Sequence, residues 1–208
     1  MKICINKVIR ILITSDFILQ SGWGLIGPIF AIFISQQIEG GNLAMVGFVA
    51  ATYWITKSLI QPFIAYFFDF RKGEKDDFVF LIVGLYLANL IPLGYFLSSQ
   101  IWHIFLLEFI RGLAMACVVP SWSGIFTRHI DKGWEAFSWS IESTGLGIAF
   151  GFAAAFGGVL ATILGFKTVF ILVSFLGLIS SSVLFSIRNK IFPKEQFVSK
   201  VPPSEKPF

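Results

Sequence analysis

The sequence predicts an all-α polytopic membrane protein with six transmembrane helices, on three observations. First, 56% of the 208 residues are hydrophobic and only 13% are charged, against about 45–50% and about 25% in soluble domains. Mean hydropathy is +0.80. A soluble enzyme of this size has too little interior to hide that much apolar surface, and a chain with 25 Phe and 6 Trp collapses rather than staying disordered. Second, the apolar residues gather into runs that reach the roughly 20 residues a helix needs to cross a bilayer. Third, Lys and Arg concentrate in alternate breaks between those runs, the asymmetry that orients membrane helices.

The runs cover residues 11–34, 44–68, 78–97, 101–126, 137–164 and 168–187. Each is too long for a spanning strand and none alternates with period two. The breaks are short and polar. Residues 36–42 separate the first two runs and 69–77 form the one strongly charged loop. Residues 98–100 make a tight turn, 127–132 are basic, and 165–167 form a minimal hairpin. Residues 1–10 then read as a cytoplasmic N-terminus, 11–187 as the bundle, and 188–208, with Pro193, Pro202, Pro203 and Pro207, as a disordered cytoplasmic tail.

Orientation follows from the cations. Lys2, Lys7 and Arg10, then Arg71, Lys72 and Lys75, then Arg128 and Lys132, then Arg188, Lys190, Lys194, Lys200 and Lys206 fall on one side, and only Lys167 on the other. Both termini are expected in the cytoplasm of a plasma (inner) membrane. Much of the net charge of +4 is thus an orientation signal, and no nucleic-acid partner is implied. A cleaved signal peptide is disfavoured, because the first run is too long, Asp16 interrupts it, and no small-residue cleavage site follows. Trp102 and Trp134, near opposite surfaces, fit interfacial anchors. Cys4 and Cys117 suggest no pairing.

Ionisable groups in hydrocarbon are costly unless paired or wetted, so they mark function. Asp16 lies in the first run, Lys57 in the second, Glu108 and Arg111 in the fourth, and Glu142 in the fifth. The third and sixth have none, so four helices are expected to face a polar interior and those two to face lipid. Asp16 sits roughly 8 Å into its run, with Glu142 at similar depth and Lys57 and Arg111 nearer the midplane. Asp16 and Gln20 share a helix face, as do Lys57 and Gln61. Glu108 and Arg111, three apart, can pair within one helix. With three acids against two bases, one carboxyl is free to carry a proton. Lys57 and Arg111 suit an anionic group, and Trp23, Trp54 and Trp122 an apolar body.

Pro28, Pro62, Pro92 and Pro120 mark expected kinks. Gly147 and Gly151, followed by Gly157 and Gly158, form a small-residue pattern through which membrane helices approach closely.

Taken together, residues 11–187 resemble the N-terminal half of a major facilitator superfamily transporter. The stretch from Ser15 to Pro28 resembles the family's opening helix. The charged loop lies where the family carries Gly-x-x-x-Asp-Arg-x-Gly-Arg-Arg; here it reads Ala65-Tyr-Phe-Phe-Asp69-Phe-Arg71-Lys72-Gly73. By resemblance, Asp69, with Arg71, Lys72 and Gly73, latches helix ends. The fourth run carries Glu108-x-x-Arg111-Gly112 in place of Arg-x-x-x-Gly. The fifth resembles the Gly-rich helix but has Ala153-Ala154 where drug–proton antiporters have Gly-Pro. Gly165-Phe-Lys-Thr-Val-Phe170 resembles the opening of the family's sixth helix.

The resemblance implies transport of a small solute by alternating access, coupled to protons or another ion. The family normally has two six-helix halves, so a homodimer or a second half is the implied partner. The alternative is a non-transporting membrane protein, either a regulatory partner or a defunct half-transporter. No enzyme is expected. The Gly-x-Ser-Gly of intramembrane serine proteases is incomplete at Ser121-Trp-Ser123-Gly124, and no His follows His129. No metal-ligand cluster, nucleotide loop or cofactor motif is present in the sequence.

Overall fold

The computed structural model describes residues 5–70 and 74–192. Among them are six long helices: α1 (Lys7–Gln37), α2 (Leu43–Phe70), α3 (Glu74–Leu97), α4 (Ile101–His129), α5 (Glu135–Leu164) and α6 (Phe166–Val183). A 3₁₀ turn, Leu184–Ile187, and a short α7, Arg188–Ile191, carry the last span four residues into the segment expected as tail. The rest of that tail lies outside the described residues. No strand occurs among the described residues, only an isolated bridge between Glu39 and Gln100. The chain is an integral, multi-pass membrane protein, because all six helices are long and apolar enough to span.

The helices outrun the apolar runs by a few residues at several ends. α3 gains Glu74, Asp76 and Asp77, acids in a first turn, where the helix dipole favours them. α4 gains Arg128 and His129 in its last turn, where cations are favoured. All four span prolines sit inside helices that continue through them.

Side-by-side packing runs in the order α5, α1, α6, α3, α4, α2, with α1 and α4 facing one another across the opening. Exchanging α1, α2 and α3 for α4, α5 and α6 leaves this pattern of neighbours unchanged. Because α1 and α4 start at opposite ends of the bundle, the two triplets form an inverted repeat. No repeat was legible in the sequence.

Two apolar clusters hold the bundle. One, at the end carrying both described termini, joins Leu12, Leu81, Ile125, Phe126 and Leu184; the other, at the opposite end, joins Ile34, Val49, Ile104 and Phe170. Between them Asn89, wholly buried, stitches α3 to α6 and α1. Its Nδ2 donates to the Gly177 carbonyl at 3.0 Å and to Ser181 Oγ at 3.1 Å, and its Oδ1 accepts the Trp23 indole N–H at 3.2 Å.

α3 and α6, the helices expected to face lipid, expose Val83, Leu90, Ile171 and Phe175 and also bury a large share of their surface. α2 and α5 are the least buried spans, and α3 is the most buried. The inner faces of α3 and α6, which carry no charge deep in the span, bury Asn89, Ser174, Ser180 and Ser181 instead. Small and polar side chains are the usual glue between membrane helices.

The small residues of α5 divide between two faces. Ser138, Glu142, Ala149, Ala153 and Gly157 are its buried residues. A Cβ on Gly157 would sit 2.3 Å from the Leu25 carbonyl oxygen of α1, and one on Gly24 would sit 2.7 Å from Ala153 Cβ. Gly147, Gly151 and Gly158 meet nothing within 4 Å. The seam is therefore Ala149-x-x-x-Ala153-x-x-x-Gly157. Gly147 and Gly151 lie two residues out of that register, about 200° around the helix. Gly157→Val is expected to cost about 3 kcal/mol, the upper range of overpacking, because backbone rather than a flexible side chain blocks it. Gly147→Val is expected to be far milder. Thermal unfolding of the two variants in detergent checks the contrast, and equal midpoints would refute the seam.

Candidate functional site

The inverted repeat leaves a cleft between α1 and α4, flanked by α2 and α5. Two adjoining cavities fill it, of about 520 Å³ and about 310 Å³, and Leu19, Gln20, Leu85 and Met115 line both.

The larger cavity lies toward the end opposite the termini and is built on Glu108 and Arg111. Glu108 is only 1% exposed. Arg111 Nε donates to both of its carboxylate oxygens, at 3.1 and 3.0 Å. Arg111 Nη2 donates to Oε2, and the Tyr95 hydroxyl donates to Oε1. The expected pair within one helix is formed. Its guanidinium also stacks on aromatic faces, 3.7 Å from the Tyr53 ring centroid and 4.8 Å from that of Trp23. The weak hydration and planarity of Arg suit that stacking.

Local sequence explains the geometry. Gly112 lets α4 approach α2 so closely that a Cβ there would lie 3.0 Å from the Tyr53 carbonyl oxygen. That approach brings the Tyr53 ring onto Arg111. Lys57, one turn beyond Tyr53, holds its ammonium 4.9 Å from the Trp54 ring centroid and 6.0 Å from that of Tyr53. Trp23, Tyr53, Trp54, Phe30 and Phe150 supply aromatic walls. Gln61 and Lys57 line neither cavity; Lys57 lies beside the larger one, where its charge acts on Arg111.

The smaller cavity lies toward the end carrying the termini. Asp16 from α1 and Glu142 from α5 meet there, side chain to side chain, within hydrogen-bonding reach, beside Gln20, Trp122, Ser123 and Trp139. Two carboxyl groups this close can share one proton. The sequence named both acids but not their meeting, which needs α1 to lie along α5. The inverted repeat makes the cleft polar. Arg111 of α4, with Lys57 of α2 beside it, lies toward one end, and the acids of α1 and α5 toward the other.

At the end carrying the termini, a clasp joins α3 to α4. Arg128 Nε donates to Glu74 Oε1 at 2.9 Å, and Arg128 Nη2 pairs with Asp77, which is buried. His129 Nδ1 lies 3.5 Å from Glu74 Oε1. Sequence reasoning missed this clasp. The tight turn at 98–100 forces α3 and α4 to be antiparallel neighbours, which already sets an acidic first turn beside a basic last turn. Asp69, the residue assigned as latch, is exposed near the end of α2, and its negative charge acts on Asp77. Arg71, Lys72 and Gly73 lie outside the described residues.

Comparison with known proteins gives this arrangement a context. The chain is 22% identical to an uncharacterized MFS-type transporter of Methanocaldococcus jannaschii over 193 residues, which are 92% of this chain and 48% of that protein. It thus spans about half the length of that relative. The model of the Major Facilitator Superfamily matches residues 12–207, nearly the whole of an inverted-repeat bundle, and the chain belongs to that family.

Proposed function

We propose that the chain carries a small solute across the membrane by alternating access, as one wall of a two-walled transporter. The observation that carries this reading is the charged cleft itself. Glu108, Arg111, Asp16 and Glu142 sit at two depths between α1 and α4, lining cavities rather than facing lipid. Buried charge at membrane depth is costly, and a solute pathway is the use that repays it.

The second wall is a second copy or another six-helix unit, docked over the cleft along α2 and α5. Those two helices expose Phe48, Phe63, Tyr66, Phe152 and Phe156, and Gly147, Gly151 and Gly158 leave open space on α5. The Asp16–Glu142 pair is the coupling site, where one proton more or less changes the charge that the cleft presents. The basic asymmetry of the sequence supports termini in the cytoplasm, with the bundle in the plasma membrane.

Purified protein in proteoliposomes tests the reading against a non-transporting regulatory partner. A panel of a sugar, an amino acid, an organic anion and an organic cation is offered under an inward pH gradient. Saturable uptake of any one above protein-free liposomes is the expected result. No uptake across the panel, with a strictly monomeric mass in lipid nanodiscs, would favour the non-transporting partner.

A further inference from the structure

We propose that the Arg111 end of the cleft binds a small organic monoanion carrying a flat ring; this deepens the transport reading and rests on it for its physiological role. The argument starts from charge. Glu108 is fully engaged, its oxygens accepting from Arg111 and from the Tyr95 hydroxyl. It neutralises Arg111 and nothing more. Lys57 has no carboxylate within 4 Å among the described residues; its ammonium rests on the Trp54 and Tyr53 rings. Lys57 and Arg111 are close enough for their charges to act on one another. Lys57 stands outside the cavity lining but on the rings that wall it, so one surplus positive charge lies beside this end of the cleft at membrane depth, where an unpaired cation is costly. A monoanion cancels it.

Donor geometry agrees with the charge. Arg111 lines the cavity; Nε and Nη2 are committed to Glu108, and Nη1 is the guanidinium nitrogen that does not bond to that carboxylate. Charge-assisted hydrogen bonds from a guanidinium and an ammonium suit the oxygens of a carboxylate or sulfonate. The walls set the body. Trp23 on α1, Tyr53 and Trp54 on α2, and Phe150 on α5 present rings around the same cavity, and aromatic faces pack best on another flat ring. A cavity of about 520 Å³ holds a substituted benzene with room to spare.

The acid pair does not compete. Asp16 lies seven residues before Trp23 on α1, about 10 Å along the helix, so the anion and the Asp16–Glu142 carboxyls occupy separate levels. The same polarity would also suit a zwitterion stretched between the two ends, and the test separates these ligands.

The full chain in phosphatidylcholine nanodiscs, which offer no anionic headgroup, is titrated calorimetrically. The probes are benzenesulfonate, its neutral analogue benzenesulfonamide, benzyltrimethylammonium and the zwitterion 6-aminohexanoate. Benzenesulfonate is expected to bind at least about tenfold more tightly than each of the others. Lys57→Gln is expected to remove about that tenfold while leaving benzenesulfonamide unchanged, and Lys57→Arg to restore it. Equal affinity for sulfonate and sulfonamide overturns the proposal, as does tighter binding of the cation or the zwitterion. The wild-type comparison stands even where a variant folds poorly. Selective sulfonate binding with no flux of any solute would keep this site and remove the transport reading. Flux of some solute without selective sulfonate binding would do the reverse.

Discussion

Glu108→Ala is expected to destabilise the bundle by about 3–5 kcal/mol, the cost of breaking a buried ion pair from one side. The variant strands two groups. The Arg111 guanidinium loses its counterion and three hydrogen bonds, and the buried Tyr95 hydroxyl loses its acceptor. Glu108 is 1% exposed, so water does not easily replace the carboxylate. Glu108→Gln keeps an acceptor for Tyr95 but removes the charge, and is expected to fall between parent and Ala. The double variant Glu108→Leu/Arg111→Met removes both charges together and is expected to lie within about 2 kcal/mol of the parent, since apolar isosteres often replace buried pairs at little cost. Thermal unfolding in one detergent ranks the four proteins. A double variant as unstable as Glu108→Ala would mean that the pair is a structural bolt rather than a site. A stable double variant that no longer prefers benzenesulfonate would place the charges in ligand binding.

The six spans were legible because bilayer thickness fixes a helix length that hydropathy reports directly. Their ends were less legible, because a helix does not stop where the apolar run stops. Acids at 74–77 and the cations Arg128 and His129 extend α3 and α4 with favourable dipole contacts. The candidate charges were legible one at a time, since a charge in an apolar run stands out. Their pairing across helices was not. Nothing in the order of residues says that α1 lies along α5 or that α4 lies along α2, and both the Asp16–Glu142 meeting and the Tyr53–Arg111 stack depend on that. Which face of α5 packs on α1 was not legible for a related reason. Glycine draws the eye, but Ala149 and Ala153 do the same packing as Gly157 in a register set by α1. Asn89 escaped notice because an amide in an apolar run reads as a minor polar interruption, yet it is the node that ties Trp23 to α6.

Asp16→Asn is expected to abolish accumulation driven by a pH gradient, lowering it at least about a hundredfold, the low end of what a positioned proton-transfer group contributes. The substitution is chosen for what it keeps. An asparagine amide still donates a hydrogen bond to Glu142, so the contact between α1 and α5 survives while the pair loses one of its two titratable carboxyls. Glu142→Gln removes the other carboxyl and is expected to act alike. The double variant should be no worse than either single, because the two acids act as one unit. Counterflow exchange with no pH gradient isolates the solute pathway from the proton, and it is expected to persist in all three. So is the preference for benzenesulfonate over benzenesulfonamide, because the anion sits about 10 Å away along α1. A merely structural pair would lose exchange and accumulation together. Undiminished pH-driven accumulation in both single variants would remove the acid pair from coupling altogether. Loss of accumulation with exchange intact is the result that assigns the proton to Asp16 and Glu142 and leaves the solute to Arg111 and Lys57.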